Sequence, residues 1–390
     1  MAPSCCSKST SPRCHTLELW ALVAVGFLAL CFLLSRGDHL WPDKTSECAL
    51  PAGLQTALPP PPSLPPPQAL PTPAPCVANA SVHNISGFSQ LPTHVQDFLR
   101  YQHCISFPAL LDVPGKCGGP EGSPGTFLLL AIKSSPANYN RREVIRKTWG
   151  QERTFQGASI RRLFLVGVDP SGGQAERKLN RLLRLEQRES GDILQWRFRD
   201  TFFNLTLKQV LFHAWLLRNC PGVRFVFNGD DDVFANTDNL VRFAAGTVGR
   251  HLMAGHVLAN TGPIREPYSK YYIPQQLPAP ERYPPYCGGG GMLMSGYTAR
   301  AIARQSRRLR LYPIDDVYLG LCLERAGLKP TAHLGMRTMG LWVPGKSSPL
   351  DPCYYRELLL VHRFLPYEVA LLWDSIHDPQ LQCGKKVTFF

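Results

Sequence analysis

Apolar runs and polar intervals divide the chain into two unequal parts. From Leu91 onward, strand-length runs rich in branched and aromatic residues return at intervals of roughly thirty residues, the spacing of βα units. Residues 126–132 (TFLLLAI), 161–168 (RRLFLVGV), 192–197 and 223–228 form this series. Near-continuous apolarity of that length marks strands covered on both faces. Helix-length intervals at 141–149, 176–189 and 204–219 separate them, and Leu179, Leu182, Leu183 and Leu185 supply the inner side of the second. The alternation predicts an α/β fold with a mostly parallel central sheet and helices on both faces. Residues 90–107 read as a helical lead-in. After Phe234 the pattern loosens into a helix near 237–245, a strand near 252–257, a Tyr/Pro-rich loop, and helices at 297–306 and 317–326. Residues 91–390 form one folded domain in this reading.

The part before Leu91 reads differently. Residues 1–16 are polar and carry Lys8 and Arg13; residues 19–34 are an uncharged stretch of 16. That stretch spans about 24 Å as a helix, short of a ~30 Å hydrocarbon core, and tilted flanks from Leu17 make up the difference. Basic residues on its N-terminal side predict a cytosolic tail (1–16), a transmembrane signal-anchor (17–35) and a lumenal body. A signal peptide cleaved near Ser35 and Gly37 is the rival. Residues 36–90 form a proline-rich stem. Its segment 51–75 holds eleven prolines, which favour an extended polyproline II spacer. Asn79, Asn84 and Asn204 each open an Asn-X-Ser/Thr glycosylation pattern.

The net charge of +13 points to an anionic partner, but the basic residues are dispersed and no aromatic-interleaved motif accompanies them, so nucleic acid is excluded. Nine of the thirteen cysteines lie from Cys48 to Cys383. No CxxC pair occurs among the nine, which argues against structural zinc and for disulfides in an oxidising compartment. Nine is odd, so at least one thiol stays free or pairs between chains.

Candidate chemistry concentrates where apolar runs stop. Residues 225–228 (FVFN) end at Gly229 and then Asp230, Asp231 and Asp232, with Val233 and Phe234 immediately after. Strand ends are ligand sites in open α/β sheets, and three adjacent carboxylates call for a cation or several donors. A hard divalent ion with oxygen ligands meets that need; a solvated acidic turn is the plainer alternative. Arg142 and Arg146 are four apart on one helix face and suit an anionic ligand, or else a solvated basic face. Cys287 precedes four glycines, including Gly289 and Gly290, whose backbone can approach a ligand closely. Asp315 and Asp316 follow Pro313 at a helix start, where a carboxylate serves either as an N-cap or as a general base. His362 ends the apolar run 358–364 (LLLVHRF) and is a candidate metal ligand.

Residues 142–150 (REVIRKTWG), 200–208 (DTFFNLTLK), 228–234 (NGDDDVF), 286–291 (YCGGGG), 313–318 (PIDDVY), 351–356 (DPCYYR) and 358–364 together resemble the Golgi β-1,3-glycosyltransferases. The segment 283–286 (YPPY), the paired acids and the quadruple glycine resemble the β-1,3-N-acetylglucosaminyltransferases that extend core O-glycans or polylactosamine. The resemblance implies a GT-A-type nucleotide-sugar fold, UDP-N-acetylglucosamine as donor, a galactose-ended glycoprotein glycan as acceptor, and manganese. It implies Asp232 and His362 as metal ligands and Asp316 as base, with Asp315 as the fallback. Arg142, Arg146, Trp149, Lys208, Asp230, Asp231, Gly289 and Gly290 then fall near the donor. It further implies a single-pass type II protein of the Golgi membrane, with oligomeric state left open. A β-1,3-galactosyltransferase and a catalytically silent glycan-binding protein on the same fold are the alternatives.

Overall fold

Strand Leu128–Lys133 is buried along its whole length, and alternate side chains feed two separate cores. Leu129 and Ala131 pack with Phe212, Trp215 and Leu319 on one face. Leu128, Leu130 and Ile132 pack with Ile145, Trp149 and Leu183 on the other. A period of two on a central strand requires this division.

The computed structural model describes residues 76–340 and 348–384. The expected tail, the anchor and stem residues 36–75 lie outside the described residues. Among the described residues, no helix is long and apolar enough to cross a membrane. The first half runs α1 (Thr93–Tyr101), β1 (Ala109–Leu111), β2 (Leu128–Lys133), α2 (Tyr139–Lys147), β3 (Arg153–Phe155), β4 (Ala158–Val168), α3 (Gly173–Ser190), β5 (Ile193–Arg199), α4 (Leu205–Asn219) and β6 (Phe225–Asp230). The second half adds β7 (Val233–Ala235), α5 (Thr237–Ala245), β8 (Met253–Gly255), β9 (Val257–Leu258), β10 (Tyr286–Cys287) and β11 (Gly291–Ser295). It ends with α6 (Gly296–Ser306), α7 (Asp315–Arg325), β12 (Thr331–Ala332), β13 (Met336–Arg337), α8 (Pro352–Glu357), β14 (Leu360–His362) and α9 (Pro366–Ile376).

The main sheet has the order β1-β5-β4-β2-β6-β11-β8-β12, with β3 paired to β4. Strands β5, β4, β2 and β6 are parallel, as expected from the βα spacing. The sheet as a whole is mixed rather than mostly parallel. β11 runs antiparallel to both β6 and β8, and β1 and β3 are antiparallel to their neighbours. β3 turns back through Gln156 and Gly157, both at positive φ, the conformation that a two-residue hairpin turn needs. A small sheet, β13-β14-β7, places the end of β14 beside the start of β7, with His362 opposite Val233.

Two further expectations change. On α3 only Leu183 among the four leucines is fully buried; Leu182 and Leu185 are 58% and 46% exposed. The helix gives the rest of its inner stripe to Glu186, which is buried with charged partners. The folded body also begins ahead of Leu91, inside the segment assigned to the stem. Val82 and Phe88 are buried, and Cys76 is bonded to Cys104. The other disulfides are Cys117–Cys220 and Cys353–Cys383, while Cys287 and Cys322 are free and buried. Cys48 lies outside the described residues.

Cys117–Cys220 ties the approach to β2 to the end of α4 across 103 residues, whereas Cys353–Cys383 spans 30. Double serine replacement of the first pair should lower stability in urea titration by about 2–4 kcal/mol, and by about 1 kcal/mol more than the same change in the second. A larger loss from the shorter loop would refute the loop-closure account.

Candidate active site

β2 and β6 are in parallel register from Leu128 opposite Phe225 to Lys133 opposite Asp230, so both strands stop together at one sheet edge. The three acids at the end of β6 point to different partners. Asp230 Oδ1 pairs with Lys133 Nζ at 2.9 Å. Its backbone N–H donates to Gly290 O at 2.9 Å, and Gly290 N–H donates to Asp230 Oδ2 at 3.2 Å. Asp231 turns inward: it accepts from Ser134 Oγ at 2.7 Å, Asn138 Nδ2 at 2.9 Å and Arg141 Nη1 at 3.0 Å. Burial raises its pKa despite these donors. Asp232 Oδ1 meets His362 Nε2 at 3.1 Å, and Arg141 lies 3.5 Å from Oδ2.

One ligand atom each from Asp230, Asp232 and His362 lies within 4.8 Å of the others. Two carboxylates and an imidazole suit a first-row divalent ion, so the donor set fits a metal. Asp231 supplies none of the three, because its oxygens are used by the α2 segment. Burial disfavours the charged His362 ring, but the hydrogen bond and charge of Asp232, with Asp230 beyond, raise its pKa overall. Burial likewise opposes ionised Asp232, and His362 and Arg141 outweigh it.

The second acidic pair opens α7. Ile314 holds the N-cap position and neither acid caps the helix; both lie in its first turn, where the helix dipole favours negative charge. Asp315 is buried and accepts from Lys133 Nζ at 2.8 Å and from Gln209 Nε2 at 3.4 Å. Lys133 is therefore a buried cation shared between the two acidic clusters. Burial lowers its pKa, but Asp230, Asp315 and Asp316 together carry it well above the ordinary lysine value.

Asp316 is half-buried, and its Oδ1 is shielded from solvent with no hydrogen-bond partner. Gly289 packs against its other oxygen: a Cβ there would sit 3.1 Å from Oδ2. Burial first, then the charge of Asp315, raise the Asp316 pKa well above the usual carboxylate value, with Lys133 opposing them. A carboxylate with one unused oxygen and a raised pKa is equipped to accept a proton.

Both clusters open into one cavity of about 850 Å³. Its walls include Lys133, Ser134, Arg141, Asp230, Asp231, Asp232, Asp315, Asp316, Gly289 and His362. Phe202, Tyr271, Tyr283 and Tyr286 form an aromatic side, with Tyr283 Oη 2.6 Å from Tyr312 Oη. Lys208 also lines the cavity, buried and paired with Asp200 at 2.9 Å.

Arg142, Arg146 and Trp149 do not reach this space. Arg142 is 1% exposed and bonds Glu186 at 2.7 Å. Arg146 pairs with Glu186 and Asp192, each at 2.7 Å, and Trp149 is wholly buried edge-on to Phe227. Arg142 and Arg146 fix α2 to its neighbours, and Trp149 packs under the sheet just beyond its end. The cavity takes Arg141 from that helix, together with Lys133 and Ser134 from the end of β2. The available signal for Lys133 was a lysine ending a fully apolar strand. Asn79 and Asn84 are exposed; Asn204 is half-buried and donates to Arg199 O at 2.9 Å.

The family pattern described as Galactosyltransferase matches residues 140–333. Human N-acetyllactosaminide β-1,3-N-acetylglucosaminyltransferase 3 is 53% identical over 373 residues, covering 95% of this chain and 96% of that protein. Human acetylgalactosaminyl-O-glycosyl-glycoprotein β-1,3-N-acetylglucosaminyltransferase is 53% identical over 314 residues, covering 80% of this chain and 81% of that protein. The rat UDP-GlcNAc:betaGal β-1,3-N-acetylglucosaminyltransferase 7 is 45% identical over 317 residues, covering 80% and 78%. On this evidence the chain belongs to the galactosyltransferase family, among its β-1,3-N-acetylglucosaminyltransferases.

Proposed function

We propose that this protein is an inverting transferase that moves N-acetylglucosamine from UDP-N-acetylglucosamine to the 3-hydroxyl of galactose-ended glycans on glycoproteins. One observation carries the reading: a single cavity holds a cation-binding set, Asp230, Asp232 and His362, and a separate carboxylate, Asp316, with an unpartnered oxygen. The relatives' names support β-1,3 transfer of N-acetylglucosamine. The arrangement of strand ends and acids supports a GT-A-type fold.

In this mechanism Asp316 Oδ1 takes the proton of the attacking hydroxyl. One base and no carboxylate nucleophile give a single displacement, which turns an α-linked donor into a β-linked product. Lys133 holds Asp315 and Asp230 by ion pairs, whereas Asp316 Oδ1 is shielded from solvent and has no partner. Asp230, Asp232 and His362 would hold manganese, which offsets negative charge on the UDP side. The aromatic side of the cavity suits the apolar face of a sugar ring. The apolar stretch 19–34, the proline-rich stem and the three disulfides support a single-pass type II protein of the Golgi membrane with its catalytic domain in the lumen.

A donor-by-acceptor panel tests the assignment directly. UDP-N-acetylglucosamine with galactose-ended acceptors should be the productive pair; faster transfer from UDP-galactose, or to an N-acetylgalactosaminyl-peptide, would overturn it. Asp316→Asn should cut kcat by about 10²–10⁴-fold, the usual worth of a general base, while UDP affinity stays within about twofold. Because the working form of Asp316 is ionised and its pKa is raised, turnover should be full above that pKa and lost as pH falls through it. The acid limb of kcat, at saturating manganese, should thus lie above the ordinary carboxylate range; a limb at the ordinary value would show that Asp316 is not the base. Gly290 has φ 100°, and a Cβ there would meet His362 at 3.0 Å. Gly290→Ala should therefore raise the manganese concentration needed for half-maximal activity, and an unchanged requirement would remove His362 from the metal set.

A further inference from the structure

Five cationic side chains line the cavity: Lys133, Arg141, Lys208, Lys270 and Arg363. Three already face carboxylates. Lys133 joins Asp230 and Asp315, Arg141 joins Asp231 and Asp232, and Lys208 joins Asp200. Lys270 lies over the rings of Phe202 and Tyr271, at 5.4 and 4.8 Å. Arg363 is the exception. Among the described residues its guanidinium has no carboxylate, ring or hydrogen-bond acceptor.

An exposed arginine at a turn is ordinarily just solvated. Here the backbone argues otherwise. Arg363 has φ 79°, in the left-handed region that long L side chains avoid. Two contacts hold it there. The amides of Arg363 and Phe364 both donate to the carbonyl of Asp232, each at 2.9 Å. Phe364 is buried, with its ring 5.7 Å from Tyr355 and 6.2 Å from Phe234. The strained turn sets Arg363 directly after His362 and ties it by backbone to Asp232, so the free cation lines the cavity next to two members of the cation-binding set. Such strain persists where surrounding structure over-determines it, and it marks functional positions.

We propose that Arg363 binds the diphosphate of the nucleotide-sugar donor. Its planar fork of N–H groups matches phosphate oxygens, and it adds positive charge on the side where UDP departs. The proposal rests on the reading of this cavity as the donor site.

The test compares wild type with Arg363→Gln and Arg363→Gly in the presence of manganese, with UDP titrated by calorimetry and uridine followed by ligand-detected NMR. Both variants should bind UDP about tenfold or more weakly, as expected for a lost charge-assisted phosphate contact, with uridine binding unchanged. Glycine accepts the positive φ, so Arg363→Gly should melt at or above the wild-type temperature, which separates a lost contact from a damaged fold. If Arg363→Gly binds UDP as tightly as wild type, the proposal fails and the donor-site reading stands. Equal losses for UDP and uridine would also overturn it, since a phosphate contact cannot weaken uridine. Failure of the wild type to bind UDP would sink the donor-site reading and this proposal together.

Discussion

The site depends on one buried ammonium group. Lys133 Nζ lies 2.9 Å from Asp230 and 2.8 Å from Asp315, joining the end of β6 to the first turn of α7. A lone lysine so deeply buried would shed its proton, because desolvation disfavours the charged form. The carboxylates of Asp230, Asp315 and Asp316 reverse that outcome and keep the cation. The dependence runs both ways. Without Lys133, Asp230, Asp315 and Asp316 would face one another across a desolvated space, and removing one partner of a buried ion pair typically costs about 3–5 kcal/mol. Lys133 is thus a structural counter-ion that allows two acidic clusters from distant parts of the chain to share one cavity.

The same charge arrangement sorts five neighbouring aspartates into different conditions. Asp231 is consumed by Ser134, Asn138 and Arg141, and Asp315 by Lys133 and Gln209. Asp230 divides its oxygens between Lys133 and the Gly290 amide. Asp232 is held by His362, a partner that can itself be a metal ligand. Asp316 keeps a solvent-shielded oxygen with neither donor nor cation. Residue type alone could not have separated these roles, since each aspartate carries the same intrinsic chemistry. Their environments set them apart.

Sequence made some of this legible and hid the rest for identifiable reasons. The strands β2, β4 and β6 were readable because most of their length is buried on both faces, which leaves near-continuous apolar runs, and β5 was readable from the buried start that precedes its exposed Arg197 and Arg199. The acids at 230–232 and 315–316 stood out because they interrupt or follow such runs. The reversed direction of β11 was not legible, since a long irregular connection carries no periodicity that fixes where the chain returns. Arg142 and Arg146 looked free because their counter-ions, Glu186 and Asp192, lie more than forty residues further on. The leucines of α3 misled for the same reason: a buried glutamate took the inner stripe that they were assigned. Arg363 carried only a faint signal, an arginine inside an otherwise apolar run.

What joins the two halves on the other side of the cavity is backbone rather than charge. The glycine loop exchanges a pair of hydrogen bonds with Asp230 through Gly290, and Gly289 packs on Asp316. A Cβ at either position would press on a group the site needs, His362 at 3.0 Å or Asp316 at 3.1 Å. The four glycines therefore do more than permit a turn. They let one strand of backbone, running into the fully buried β11, set the spacing between the cation-binding set and the base. Lys133 fixes that spacing electrostatically from within the sheet, and the glycine loop fixes it sterically from above. A transferase of this kind needs both, because the donor and the acceptor hydroxyl must meet at one distance set by two independent elements.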